Sequence, residues 1–421
     1  MTYNAPIRQL FSAFAALWAV SLWAQQPAAS AEPPLRELSA RMATSDVRLQ
    51  PSSAGTLSVE VDNLLFFKDN EFAGSQADGY TLPGMWVQPR LTWQPTADVR
   101  VSAGLHALVL DGASKYPCYA YHDIATWKGS QYQLGAHVLP YLRAEAQLGR
   151  TNIILGDIYG GANHRLMEPL FNPETNLTQD PEMGAQVVFS GRRFWMDVWV
   201  NWQSYIFRES THQEAFTLGL SQRFLLNDPA SAFHWYVPLC ALGQHRGGEQ
   251  DATDMGVQTL INGGLGLGLQ WTRGSGLVSG ANAEVGVMGA WQQAGELWPF
   301  DTGGAVSASA ALWLWRDVRL FASVLYGRHF VPLYGVPFYS CVSQRQSDTS
   351  AQTFSGQSYD SVLAGHIGGE WGHTFARGYE LGVKADVYPV RADAGSTSFS
   401  FGIYMRCNPV FVLKTFRHLD I

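Results

Sequence analysis

The chain has 421 residues, of which 46% are hydrophobic, 13% aromatic and only 15% charged, with a formal net charge of -7. That charge content lies below the roughly 25% of an ordinary soluble domain, yet a mean hydropathy of -0.07 is far too polar for a bundle of membrane helices. The acidic balance is spread along the chain with no basic block, which argues against a nucleic-acid partner.

Arg8 followed by the apolar stretch 10–23 reads as a secretory signal peptide, residues 1–24, too short to serve as a spanning anchor. Residues 25–55 are rich in Pro, Ala, Ser and charge (EPPLRELSARMATSDVRLQPSSAG) and read as a flexible periplasmic lead-in. Alternation then begins. Segment 56–67 carries Ser58, Glu60 and Asp62 on one face and Leu57, Val59 and Val61 on the other. Segment 82–93 places Trp86, Gln88, Arg90 and Thr92 together, and 99–110 does the same with Arg100, Ser102, Gly104 and His106. The clearest instance is 194–205, FWMDVWVNWQSY, with Trp195, Asp197, Trp199 and Asn201 opposite Phe194, Met196, Val198 and Val200. Two-residue periodicity with one greasy face marks a strand lying between an apolar and a polar medium.

Connections alternate in length. Short ones fall near 149–152, 191–193, 226–231, 316–317 and 375–377, and long ones near 111–131, 160–183, 244–255, 293–303 and 329–359. Short periplasmic turns opposite long extracellular loops are the asymmetry of an outer-membrane barrel. The expected fold is therefore all-β: a transmembrane, antiparallel, up-and-down β-barrel of about 16 strands (14–18) spanning 56–407. Residues 408–421 are a strand extension or tail. The leader, the strand rhythm and phrases such as LGDIYGGANHRLMEPLFNPE, HWYVPLCALGQHRGGE and LWPFDTGG resemble single-chain Gram-negative outer-membrane barrels of the porin type, including barrels from Bacteroidota. The resemblance covers architecture and implies no functional residues.

By parity, the inward charges are Arg90, Arg100, Arg143, Glu145, Asp197, Arg223, Arg319, Glu370, Glu380, Lys384, Asp386 and Arg406. They would either line a wet pore with a transverse field or form cross-strand ion pairs. The long polar segment 160–183 is the first candidate for a constriction loop, carrying His164, Arg165, Glu168, Glu174, Asp180 and Glu182. Segment 329–359 is the second. Inward aromatics such as Trp86, Trp195 and Trp199 would either pack locally or stack on sugars. Cys118 and Cys341 fall in predicted extracellular loops and could pair, or remain two thiols. No CxxC spacing suggests zinc, and no cofactor or metal is expected. Four histidines (His164, His245, His329, His366) are available to a rim hydrolase, but none sits in a local catalytic signature, so a non-catalytic protein is expected. The expected function is a porin-like passive channel for small polar solutes. The alternatives are a plugged barrel serving as structural partner in an outer-membrane complex, and a barrel-rim hydrolase. Expected partners are outer-membrane lipid and lipopolysaccharide, with other outer-membrane proteins.

Overall fold

The computed structural model describes residues 38–110, 135–206, 212–248, 256–273, 276–315, 317–343, 356–375, 379–392 and 395–416. The signal peptide expected over 1–24 lies outside these. Seventeen strands follow one another: β1 (Thr56–Glu71), β2 (Tyr80–Gln94), β3 (Val99–Leu110), β4 (Gly135–Leu148), β5 (Thr151–Asp157), β6 (Met183–Ser190), β7 (Phe194–Ser204), β8 (Ala215–Leu225) and β9 (Phe233–Arg246). They continue as β10 (Gln258–Thr272), β11 (Val278–Ala294), β12 (Thr302–Leu314), β13 (Val318–Arg328), β14 (Ser361–Phe375), β15 (Tyr379–Arg391), β16 (Ser396–Cys407) and β17 (Val410–Thr415). Each strand from β1 to β16 pairs antiparallel with the next, and β1 also pairs with β16, which closes the sheet as a sixteen-stranded barrel. After a break at Asn408-Pro409 the chain resumes as β17, which opposes the first residues of β1 from Thr56 to Glu60. The closing seam is thus completed by two strands in series.

Period-two alternation is what allows this closure. On β16, Phe399, Phe401, Ile403 and Met405 are exposed on the outside, while Ser398, Ser400 and Arg406 are buried within. Similar outward rows run round the wall, including Leu142, Leu218, Val285, Val306 and Leu363. Such a continuous apolar belt is stable against hydrocarbon, and pairing between neighbouring strands satisfies most of the backbone groups along the wall. No helix among the described residues is long and apolar enough to cross a membrane. The strands make the crossing.

The interior is filled from two directions. The lead-in expected to be flexible in the periplasm instead enters the lumen over its described part. Helix α1 (Leu38–Ala43) buries Leu38 and Met42 against Leu64 of β1. The segment then descends through Ser45, whose N–H bonds Asn163 Oδ1, and Val47, whose carbonyl accepts from Asn152, to Gln50, whose carbonyl accepts from Gln94 at the base of β2. Burial of its Leu and Met residues explains the difference: three apolar side chains suffice to hold a short segment when a preformed cavity receives them. From the outer side, segments 158–182 and 329–343 both fold inward. Their residues Ile158, Met167, Leu170, Phe330, Tyr334 and Phe338 join wall residues in one buried cluster.

Candidate functional site: a lumen plug and a notch in the wall

The inward segment 158–182 is anchored to three parts of the wall. His164 stacks on Trp199 with ring centroids 3.5 Å apart, and places Nδ1 2.8 Å from Asp197 Oδ2 and Nε2 3.1 Å from Glu182 Oε2. Burial alone would lower its pKa, but Glu182 and Asp197 outweigh this and push it up to about 9. Glu182 in turn receives the Gly161 N–H at 2.8 Å, so both ends of the segment are stitched together. Gly161 has φ +58° and a Cβ there would lie 2.4 Å from Asn176 Oδ1, which restricts this position to glycine. Across the lumen, Glu168 Oε1 accepts from His366 Nδ1 (2.8 Å), Ser323 Oγ (2.9 Å) and Tyr339 OH (3.0 Å). Burial raises its pKa, but the bonds from His366, Ser323 and Tyr339 prevail and bring it down to about 2. Glu174 reaches β1 and the head of β2, accepting from Lys68, Asn70 and Tyr80. Trp86 donates Nε1–H to the Asn176 carbonyl within the short helix α2 (Thr175–Thr178).

The second inward segment meets the opposite wall. Tyr334 bonds Thr217 of β8 and receives Gln244 of β9 at 3.0 Å, and Asn262 of β10 bonds the Val331 carbonyl and the Leu333 N–H. The two segments therefore pack together as one plug, formed by the first candidate loop and by the described part, 329–343, of the second.

Below the plug lies a chamber of about 260 Å³, lined by Leu38, Leu64, Arg223, Glu284, Lys384 and Asp386 among others. The inward charges read from the sequence are distributed around it and beside it, mostly in pairs. Arg90 holds Glu60 at 2.7 Å, Arg100 holds Glu145 at 2.6 Å, and Arg406 holds Asp62 at 2.9 Å while donating to the Thr44 carbonyl. Arg319 lies 3.5 Å from Glu370, which also accepts the Leu38 N–H; Lys384 lies 3.3 Å from Asp386, and Asp386 accepts from His366 at 2.7 Å. Glu380 stands opposite Arg406 in the β15–β16 register. Asp197 holds His164 and Gln186, and Arg223 lies 4.3 Å from the centre of the Tyr236 ring. The inward tryptophans pack locally: Trp199 on His164, and Trp195 under the Arg165 guanidinium at 4.4 Å. Cys118 lies outside the described residues, and Cys341 is a free, buried thiol whose burial pushes its pKa up to about 11.

Two neighbouring strands of the wall are unusually short. Strands β5 and β6 have 7 and 8 residues, whereas β4 before them has 14 and β7 after them has 11. Pairing between β4 and β5 ends at Arg143↔Gly156, so β4 continues outward from 142 to 135 with no β5 partner. The Asp157 carboxylate takes the first freed backbone donor, the Leu142 N–H, at 2.5 Å. A tilted strand needs about 9–11 residues to cross the hydrocarbon layer, so β5 and β6 stop short on the outer side and leave a notch. Behind it is a cavity of about 110 Å³. Tyr141 and Arg143 line it from β4, Tyr159, Asp180 and Glu182 from the two ends of the plug segment, Trp86, Gln88 and His106 from β2 and β3, and Asp62 and Ser45 from β1 and the N-terminal segment. His106 places Nδ1 3.0 Å from Gln88 Nε2, a neutral partner, unlike His164 and His366, which each sit between two carboxylates.

A family model described as lipid A 3'-O-deacylase-type matches residues 49–416. The chain belongs to this family. It is an outer-membrane β-barrel. No curated protein matches it. Similar solved structures include the outer-membrane protein OmpT of Vibrio cholerae (11% identity, 86% of this chain and 100% of that one, TM-score 0.43) and OccAB4 of Acinetobacter baumannii (7%, 86% and 100%, 0.46). OprD of Pseudomonas aeruginosa is another (8%, 88% and 99%, 0.42). None of these likenesses bears on activity. Family membership does, and it corrects the expectation of a non-catalytic protein: a deacylase is an enzyme. The sequence hid this because no local motif carries the chemistry. The cavity beside β5 is assembled from β1 to β4, the N-terminal segment and the plug segment, and two of its residues missing from the sequence reading, Tyr141 and Tyr159, differ in no way there from other barrel tyrosines.

Proposed function

We propose that the protein is an acyl-ester hydrolase acting on an acylated glycolipid of the lipid A class, taken sideways from the outer leaflet. The observation that carries this is the pair of short strands, β5 and β6, beside a polar cavity; we read the stretch of β4 left without a β5 partner as a lateral entrance from the outer leaflet. The family match supports the reaction type. A substrate embedded in lipid needs a lateral entrance, and an axial pore would not serve it.

His106 is the histidine of this cavity, and we assign it the role of general base. The Gln88 amide can be placed either way round; with its oxygen toward Nδ1–H, Nε2 carries the lone pair. His106 would take a proton from water, the hydroxide would attack the ester carbonyl, and the proton would pass to the departing sugar oxygen. The products are a fatty acid and a free hydroxyl. Such a base contributes about 10²–10⁴-fold to rate. In bilayers containing lipid A, the protein is expected to release fatty acid, and His106→Asn to lower that rate by about 10²–10⁴-fold. Near-wild-type release by His106→Asn would remove the assignment, and no release by the unaltered protein from any lipid A would remove the hydrolase reading.

A porin-like channel for small polar solutes is the second reading, favoured by the charged chamber under the plug. The packed and multiply anchored plug above that chamber speaks against free diffusion.

A further inference from the structure

Arg143 stands at the floor of the notch, on the last β4 residue paired with β5. Its guanidinium lies 3.8 Å from the centre of the Tyr159 ring and 5.3 Å from that of Tyr141. Nε–H and one Nη2–H go to the carbonyls of Asp157 and Ile158, where the chain leaves β5. A guanidinium has five N–H donors, so three remain without a partner among the described residues. Of the acids nearby, Asp180 also lines the cavity, Asp62 is held by Arg406, and three others have partners of their own. Glu145 is held by Arg100, Asp157 by the Leu142 N–H, and Glu182 by His164 and the Gly161 N–H. Arg90, Arg100, Arg319 and Arg406 each have a carboxylate within ion-pair distance, and Arg143 has none among the described residues.

A desolvated cation with free, coplanar donors beside a cavity is a strong receptor for an oxyanion, because a planar fork matches phosphate with two parallel hydrogen bonds. Its two tyrosines hold the fork in plane and keep competing water from one face. With the notch read as a lateral entrance, this receptor stands where a lipid headgroup would arrive. We infer that Arg143, clamped by Tyr141 and Tyr159, binds a phosphate carried on the headgroup of the glycolipid that enters through the notch. This inference rests on the reading of the same cavity as the hydrolytic site and names what orients the substrate there.

The test is binding, measured in detergent micelles with an ether-linked, non-hydrolysable lipid A analogue, so that it is independent of turnover. The phosphorylated analogue should bind at least tenfold more tightly than the same analogue stripped of phosphate. Arg143→Gln should abolish that difference, and Arg143→Lys should restore part of it. Migration of each variant as a folded barrel on unheated gels separates loss of the site from loss of the fold. Equal binding of phosphorylated and stripped analogue, or an undiminished difference in Arg143→Gln, would overturn the inference. Inorganic phosphate is the second probe: weaker binding than the lipid supports a headgroup site, and binding as tight as the lipid overturns it. A protein that binds as expected yet releases no fatty acid would defeat the hydrolase reading while sparing Arg143; release indifferent to phosphate would do the reverse.

Discussion

His164 and Glu168 fasten one loop to opposite walls, and their charges respond to pH in opposite directions. His164 is raised from 6.5 to about 9, so the stability it lends is fully present below 6.5 and is lost as pH climbs through 9. Glu168 is lowered from 4.5 to about 2, so its contribution is present above 4.5 and is lost as pH falls through 2. The plug is therefore expected to be most tightly held between pH 4.5 and 6.5. Limited proteolysis within 158–182 should accelerate as pH rises from 6 to 9.5, and His164→Asn should flatten that rise. A cleavage rate independent of pH would show that the imidazolium does not hold the loop. Breaking such a buried pair by removing one partner costs about 3–5 kcal/mol, enough to free the segment while the barrel wall persists.

At the scale of elements, the strands were plain in the sequence. Segments expected over 56–67, 82–93 and 99–110 are observed as Thr56–Glu71, Tyr80–Gln94 and Val99–Leu110. They were legible because lipid on one side and a polar lumen on the other impose alternation residue by residue. The fate of the loops was not legible: Glu168 meets His366 across 198 positions, and no local pattern encodes that contact. The short β5 was not legible either: the connections were read near 149–152 and 160–183, with no strand assigned between them, and β5 is observed as Thr151–Asp157. The seam at β17 is a separate matter. It adds five cross-strand pairs to β1, each worth roughly 0.2–1 kcal/mol. Truncation after Cys407 should thus leave a barrel that unfolds at lower temperature than the full chain, seen as a lower midpoint for loss of the fast-migrating form on gels. An unchanged midpoint would mean that β17 adds nothing to closure.

Considered as one molecule, the barrel carries a packed plug in its lumen, and the proposed function adds an entrance in its side. The plug draws on Asp197, His366, Lys68 and Thr217, contributed by strands spread around the circumference, and the descending N-terminal segment occupies much of what remains. On the proposed function, this division suits a protein whose substrate resides in the membrane: the filled lumen gives rigid support to the cavity beside β5. The direct test of this account is to obstruct the side entrance. Leu142, exposed on the outer face of β4 at the notch, and Val285, equally exposed on the far wall in β11, are replaced singly by cysteine and coupled to a bulky maleimide. Fatty-acid release from lipid A in bilayers is then measured. Lateral entry predicts that the label at 142 stops release while the label at 285 leaves it unchanged; equal rates with both labels would contradict it.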